Sequence, residues 1–230
     1  MKYENITPAR FICRPNRFVA VVRTDSGEKT VHVKNTGRCR ELLVPDRTVY
    51  LHRPVGKNRK TEYDLVAVEK ERAGLSPLLV NMDSQLPNAV AAEWICGNLV
   101  GATAKIKREV FFEDSRFDIY FEDGEKRGFA EVKGVTLEED GVARFPDAPT
   151  ERGIKHLRGL VRAMEAGFDA YVIFVIQMSG MKHFEPNDAT HPEFGAELRR
   201  AAALGVKVVA AECDVRPDSV IINGTIPIKL

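Results

Sequence analysis

GFAEVKGVT, residues 128–136, decides how the second half of this chain is read. Phe129, Ala130, Val132 and Val135 are the apolar content of a buried strand, yet Glu131 and Lys133 stand among them. A strand alternates its faces, so these two charges point to the same side. Burying an ion is costly unless it is paired, solvated or bound to a metal. The preceding stretch, SRFDIYFE at 115–122, supplies a partner: Phe117, Ile119 and Phe121 share one face, and Arg116 and Asp118 share the other. The link EDGEKRG is rich in turn-formers. A hairpin symmetric about Gly124-Glu125 sets Asp118 directly opposite Glu131, in side-chain contact range.

Two carboxylates so close repel and raise each other's proton affinity. A divalent cation removes that conflict, and hard oxygen ligands suit Mg2+ or Mn2+. Lys133 then stands beside the metal, placed to position or deprotonate a water or to neutralise charge developing at phosphorus. Glu93, on a helix expected over 88–99, is a fourth member if that face packs over the sheet. A blander account remains open: a salt bridge on a solvated sheet face for Asp118, Glu131 and Lys133, and a solvated helix position for Glu93.

The surrounding elements read as a mixed sheet covered by helices. AKIKREVFF, SRFDIYFE and RGFAEVKGV are strand-like, and Thr150 caps a helix running through ERGIKHLRGLVRAMEA to Gly167. DAYVIFVIQ is apolar on both faces, as a central strand is. HPEFGAELRRAAALG is a second amphipathic helix, and VKVVAAEC is the expected final strand. The order is helix, three strands, helix, strand, helix, strand.

The first third has another texture. FVAVV, TVHVK, TVYLHR and YDLVAVE are short strands broken by turns such as TDSGEK, with no long helix between them, which favours a small antiparallel barrel. Pro87 and the change of rhythm put a boundary near 81–86, dividing the chain into 1–84 and 85–230. Charge divides there too. Residues 1–84 hold 16 Lys and Arg against 10 Asp and Glu, net +6, and 85–230 are net −5. A basic first domain points to nucleic acid as partner. Lys34, Arg38, Arg40, Lys57, Arg59 and Lys60 supply its charge, and Tyr50, Tyr63 or Phe18 offer stacking surfaces unless they belong to the core. Asn35-Thr36-Gly37-Arg38 is a candidate phosphate-contacting turn.

Several classes are disfavoured. No apolar run approaches the roughly 20 residues of a membrane span, and the N-terminus lacks the apolar stretch of a secretion signal. Cys13, Cys39, Cys96 and Cys213 form no CxxC pair, as expected of reduced thiols in a cytoplasmic protein. The histidines lack zinc-ligand spacing, and no Gly-rich nucleotide-binding signature occurs. Oligomeric state is not legible.

Asp118 followed by Glu131-x-Lys133, in this element order, resembles the PD-(D/E)XK nuclease fold. The chain as a whole resembles the sugar fermentation stimulation protein family. The resemblance is carried by VHVKNTGRCRELLVP (31–45), NRKTEYDLV (58–66), LPN (86–88), SRFD (115–118), EVKGVTL (131–137) and FPDAPTERGIKHLRGL (145–160). It departs at Cys39, where an apolar residue is expected, and at Asp46, where a turn glycine is commoner. The resemblance implies an α+β chain: an N-terminal OB-like barrel followed by a mixed-sheet, restriction-endonuclease-like domain. It also implies DNA binding with little sequence preference and a link to sugar (maltose) utilisation. In the 145–160 segment, Arg152 and His156 share a helix face and are candidates for contacting phosphate. A general-acid role and a structural hydrogen-bonded role both stay open for His156. Two functions follow: Mg2+-dependent phosphodiester hydrolysis on single-stranded or duplex nucleic acid, or a DNA-binding regulator that uses the nuclease-like domain for binding alone.

Overall fold

The computed structural model describes residues 1–35, 37–55 and 59–230. It divides into two compact units. The first comprises Met1–Leu86 with Gln177–Ser179 and Cys213–Ile221, and the second comprises Pro87–Ile176, Gly180–Glu212 and Ile222–Leu230.

In the first unit β1 (Ile6–Asn16), β2 (Val19–Thr24), β3 (Gly27–Val33), β4 (Thr48–His52), β5 (Asp64–Arg72) and β6 (Leu75–Asn81) form one sheet in the order β3-β2-β1-β4-β5-β6. A parallel pairing of β3 with β5, through His32↔Asp64 and Val33↔Leu65, closes it into a five-stranded barrel with β6 alongside. That closure is the OB connectivity. Alternate residues of β2 and β4 turn inward: Ala20, Val22, Val49 and Leu51 are buried with Phe11, Val31, Val33, Leu65 and Val80. The sequence reading missed β1. Its register shifts between Phe11 and Cys13 and again before Asn16, which breaks the inward–outward alternation that marks a strand. Asp46, where a turn glycine is expected, has a left-handed backbone (φ 65°), the conformation that favours glycine.

The second unit is built on the sheet β15-β14-β12-β9-β8-β7. Its strands are β7 (Lys105–Phe112), β8 (Ser115–Asp123), β9 (Lys126–Val135), β12 (Asp169–Ile176), β14 (Lys207–Arg216) and β15 (Ser219–Thr225), some residues of the last two belonging to the first unit. β7, β8 and β9 are antiparallel neighbours, whereas β12 runs parallel to both β9 and β14, so the sheet is mixed. β12 is buried from Ala170 to Ile176, in keeping with its central place. The helices are α1 (Leu86–Asn98), α2 (Glu151–Glu165) and α3 (Pro192–Leu204). Four strands lie outside the expected order: β15, and β10 (Leu137–Glu139), β11 (Val142–Phe145) and β13 (His183–Pro186), which form a separate three-stranded sheet. At three or four residues each, the last three are too short for alternation to register.

Two details position the site. Gly124 adopts φ 61° in the two-residue link between Asp123 and Lys126, and the β8–β9 ladder runs in register from there to Ile119↔Ala130. Asp118 and Glu131 are the next residues along each strand. Thr150 caps α2 by accepting from the Gly153 N–H at 3.0 Å. Among the described residues no helix is long and apolar enough to cross a membrane, and the four cysteines are not joined in disulfides.

Candidate functional site

Asp118 on β8 and Glu131 on β9 are both largely withdrawn from solvent, Glu131 almost completely. The backbone N–H of Val132 donates to Asp118 Oδ2 at 2.9 Å, and Asn88 Nδ2, in the first turn of α1, donates to Oδ1 at 2.9 Å. Lys133 Nζ donates to Glu131 Oε1 at 2.6 Å, and His156 Nδ1 on α2 is hydrogen-bonded to the same oxygen. Glu131 Oε2 is buried and has no hydrogen-bond partner. Leaving a buried acceptor unsatisfied costs about 1–3 kcal/mol.

The two carboxyls titrate in opposite directions. Burial, reinforced by the neighbouring Glu131 charge, raises Asp118 above the usual carboxylate range. Burial also pushes Glu131 upward, but the His156 hydrogen bond and the Lys133 ammonium outweigh it and hold Glu131 below its ordinary value. The pair is therefore an ionised Glu131 beside an Asp118 whose charge is disfavoured. An added cation would correct that imbalance.

A hard divalent cation fits these donors. Glu131 Oε2 is wholly uncommitted, and each Asp118 oxygen accepts one hydrogen bond and retains a further lone pair. Among the described residues no group of three or more His, Cys, Asp and Glu side chains is arranged to hold a metal ion. Two carboxylates are a donor set of the kind that Mg2+ takes when it keeps several waters.

Glu93 is exposed on α1 and is not brought into this cluster. The helix contributes Asn88 instead, five residues away and hence on a different face at 3.6 residues per turn. Asn88 carries no charge to mark it, and its only sequence signal is its place in LPN.

His156, expected at a phosphate, is buried against Glu131, and its ring meets Phe117 edge-on with centroids 6.4 Å apart. Arg152 is exposed and its Nε–H donates to His156 Nε2 at 3.3 Å. α2 comes close enough for this because Gly159 has no side chain: a Cβ there would lie 2.5 Å from Ser115 Oγ and 3.1 Å from the Phe117 ring.

The basic residues of the first unit fall into two groups. Arg38, Arg40 and Lys60 are exposed. Lys34 is committed to an ion pair with the fully buried Asp83 (2.6 Å), and Arg59 to Asp64. Lys57 and Thr36 lie outside the described residues. Arg14, which the sequence reading missed, donates to the carbonyls of Asn35 (2.6 Å), Gly37 (2.7 Å), Arg38 (2.9 Å) and Arg17 (2.7 Å). It staples the turn that carries Arg38, and no local pattern announces such a contact. The Gly37 N–H, a candidate phosphate donor, is taken by Asn35 Oδ1 at 2.7 Å. Of the aromatic candidates, Phe18 is exposed, whereas the Tyr50 hydroxyl donates to Glu69.

Comparison with known proteins agrees with this architecture. A family model described as the SfsA N-terminal OB domain matches residues 12–76, and one described as the sugar fermentation stimulation protein RE domain matches 85–219. The sugar fermentation stimulation protein homolog of Desulfitobacterium hafniense (strain DSM 10664 / DCB-2) is 51% identical, covering 100% of this chain and 99% of its own. That of Clostridium beijerinckii is 50% identical and is matched over 100% of both chains. The structure of Pyrococcus furiosus SfsA in complex with Ca2+ superposes with a TM-score of 0.86 at 27% identity, covering 100% of this chain and 98% of that one. The chain belongs to the sugar fermentation stimulation protein family.

Proposed function

We propose that this chain binds nucleic acid with little sequence preference and, in the cytoplasm, hydrolyses phosphodiester bonds with Mg2+ or Mn2+ at Asp118, Glu131 and Lys133. The observation that carries this reading is the buried, unpartnered Glu131 Oε2 next to a second carboxylate whose ionisation is disfavoured. The pair leaves one buried oxygen unsatisfied and one carboxylate's ionisation disfavoured, and a bound cation would offset both. The Pyrococcus furiosus relative, described in complex with Ca2+, supports an oxygen-seeking divalent ion as the occupant.

Asp118 and Glu131 hold the cation in this reading, and Asn88 and the Val132 N–H fix the Asp118 carboxylate. A divalent cation bound there supplies Lewis acidity at a phosphoryl oxygen and an activated water. Lys133 spends one ammonium hydrogen on Glu131, leaving two for a phosphate oxygen or the attacking water. Arg38, Arg40 and Lys60 supply sequence-independent phosphate contacts from the barrel, with Phe18 as a stacking surface.

A second reading, a DNA-binding regulator of sugar (maltose) utilisation without catalysis, is favoured by the hydrogen bonds that both Asp118 oxygens already accept. Incubation of the purified protein with single-stranded DNA, duplex DNA and RNA, with Mg2+ or Mn2+, separates the two. Metal-dependent cleavage lost in Asp118→Ala and Lys133→Ala establishes the first. Binding without cleavage of any substrate, unchanged in Asp118→Ala, establishes the second.

A further inference from the structure

We infer that Arg152 and His156 are positioning residues that present the unbonded oxygen of Glu131 to a divalent cation, an inference that rests on the cation reading above. A guanidinium has hydrogen-bond donors and no acceptor. The Arg152 Nε–H at 3.3 Å from His156 Nε2 therefore requires that nitrogen to carry the lone pair. The neutral ring then bears its proton on Nδ1, the nitrogen that faces Glu131 Oε1.

Lys133 reaches the same oxygen from within β9. Two donors thus converge on Oε1 and none on Oε2, although both oxygens belong to one buried carboxylate. The convergence fixes the rotation of the carboxylate. With the His156 donor lost, Lys133 alone would leave Glu131 free to turn and share its oxygens with the ammonium. With Arg152 lost, the ring keeps its Nδ1–H on Glu131 but loses the contact at Nε2 that fixes its tilt, and the carboxylate it holds is less firmly oriented. Arg152 is exposed and lies outside the donor set, so it acts on the cation only through His156. The arrangement has the form of a metal-ligating group oriented by outer hydrogen bonds. Here it is built from an Arg–His pair one helical turn apart, on a helix that Gly159 lets close onto β8.

The test uses the full chain with two readouts that do not depend on turnover. Long-range 1H–15N spectra of the His156 ring at neutral pH report its tautomer, and calorimetric titration with Mn2+ reports cation affinity. Wild type should show the proton on Nδ1. Arg152→Ala should keep the proton on Nδ1, where Glu131 holds it, and weaken Mn2+ binding by on the order of 10-fold as the ring loses its second anchor. Arg152→Lys keeps the charge but not the planar donor and should restore the affinity only in part. His156→Asn, whose amide replaces the Nδ1–H donor, should bind Mn2+ better than His156→Ala. Because Arg152 is exposed, its variants test the idea without threatening the fold. Equal Mn2+ affinity in wild type and Arg152→Ala, or a wild-type ring with its proton on Nε2, overturns the positioning role alone. Wild-type protein that takes up no Mn2+ overturns the cation reading beneath it.

Discussion

Replacing Lys34 with methionine should destabilise the barrel rather than merely weaken nucleic-acid binding. The ammonium lies 2.6 Å from Asp83 Oδ2 and is only 17% exposed, while Asp83 is 0% exposed. Asp83 Oδ1 accepts from the Gln85 N–H at 2.9 Å, and Oδ2 accepts from the Tyr3 hydroxyl at 3.3 Å as well as from Lys34. Burial and the Asp83 charge push the Tyr3 phenol well above its ordinary value, so Tyr3 remains a neutral donor and cannot replace the lost cation. Removing one partner of a buried pair costs about 3–5 kcal/mol, because the other charge stays buried without compensation. The partial exposure of Lys34 places this case near the lower end, about 3 kcal/mol. At roughly 2–4 °C per kcal/mol for a chain of this size, the melting temperature should fall by about 6–12 °C. Lys34→Arg should lose far less, and Lys34→Met combined with Asp83→Asn should recover most of the loss. Thermal unfolding followed by circular dichroism reads all three. A Lys34→Met protein with wild-type stability and weakened DNA binding would show that the Asp83 pair is dispensable and return Lys34 to the phosphate-contacting set.

The carboxylates should separate by pH. A raised folded-state value means that Asp118 favours folding when protonated, and that this contribution is lost as pH rises through the raised value. Asp118→Asn should therefore melt higher than wild type at neutral pH, with the gain shrinking on acidification. Glu131 has the opposite sign: its contribution is present above the ordinary carboxylate range and is lost as pH falls through its lowered value, so Glu131→Gln should be destabilising at neutral pH. Gly159→Ala should cost about 1–3 kcal/mol by overpacking against Ser115 and Phe117, and denaturant unfolding measures it. Arg14→Ala should weaken DNA affinity by freeing the turn that carries Arg38, while Arg38→Ala should weaken it and also flatten its salt dependence; titrations at several salt concentrations compare them.

The sequence disclosed what local pattern encodes. The register that brings Asp118 beside Glu131 was legible because Gly124 sits in a turn-rich link and β8 keeps its alternation of Phe117, Ile119 and Phe121. The central strand was legible as AYVIFVI, and the cap on α2 as Thr150. What escaped depends on distant partners. Lys34 reads as a surface cation until Asp83, 49 residues on, is seen beneath it. His156 reads as a phosphate contact until Glu131 claims its ring. Asn88 and Arg14 make their decisive hydrogen bonds 30 and about 20 residues away, and nothing in their neighbourhoods announces it. β1 was hidden by its own bulges, and β10, β11 and β13 by their brevity.

If Asp118 and Glu131 jointly hold a divalent cation, as proposed, a bound manganese ion should be visible beside them. Crystals grown with Mn2+ and measured at a wavelength where manganese scatters anomalously test it most directly. An anomalous peak is expected in coordination range, roughly 2.1–2.5 Å, of Glu131 Oε2 and an Asp118 oxygen, and it should vanish in Glu131→Ala. No peak in a crystal soaked to saturation, or a peak that leaves Glu131 Oε2 unbonded, would contradict the proposed site.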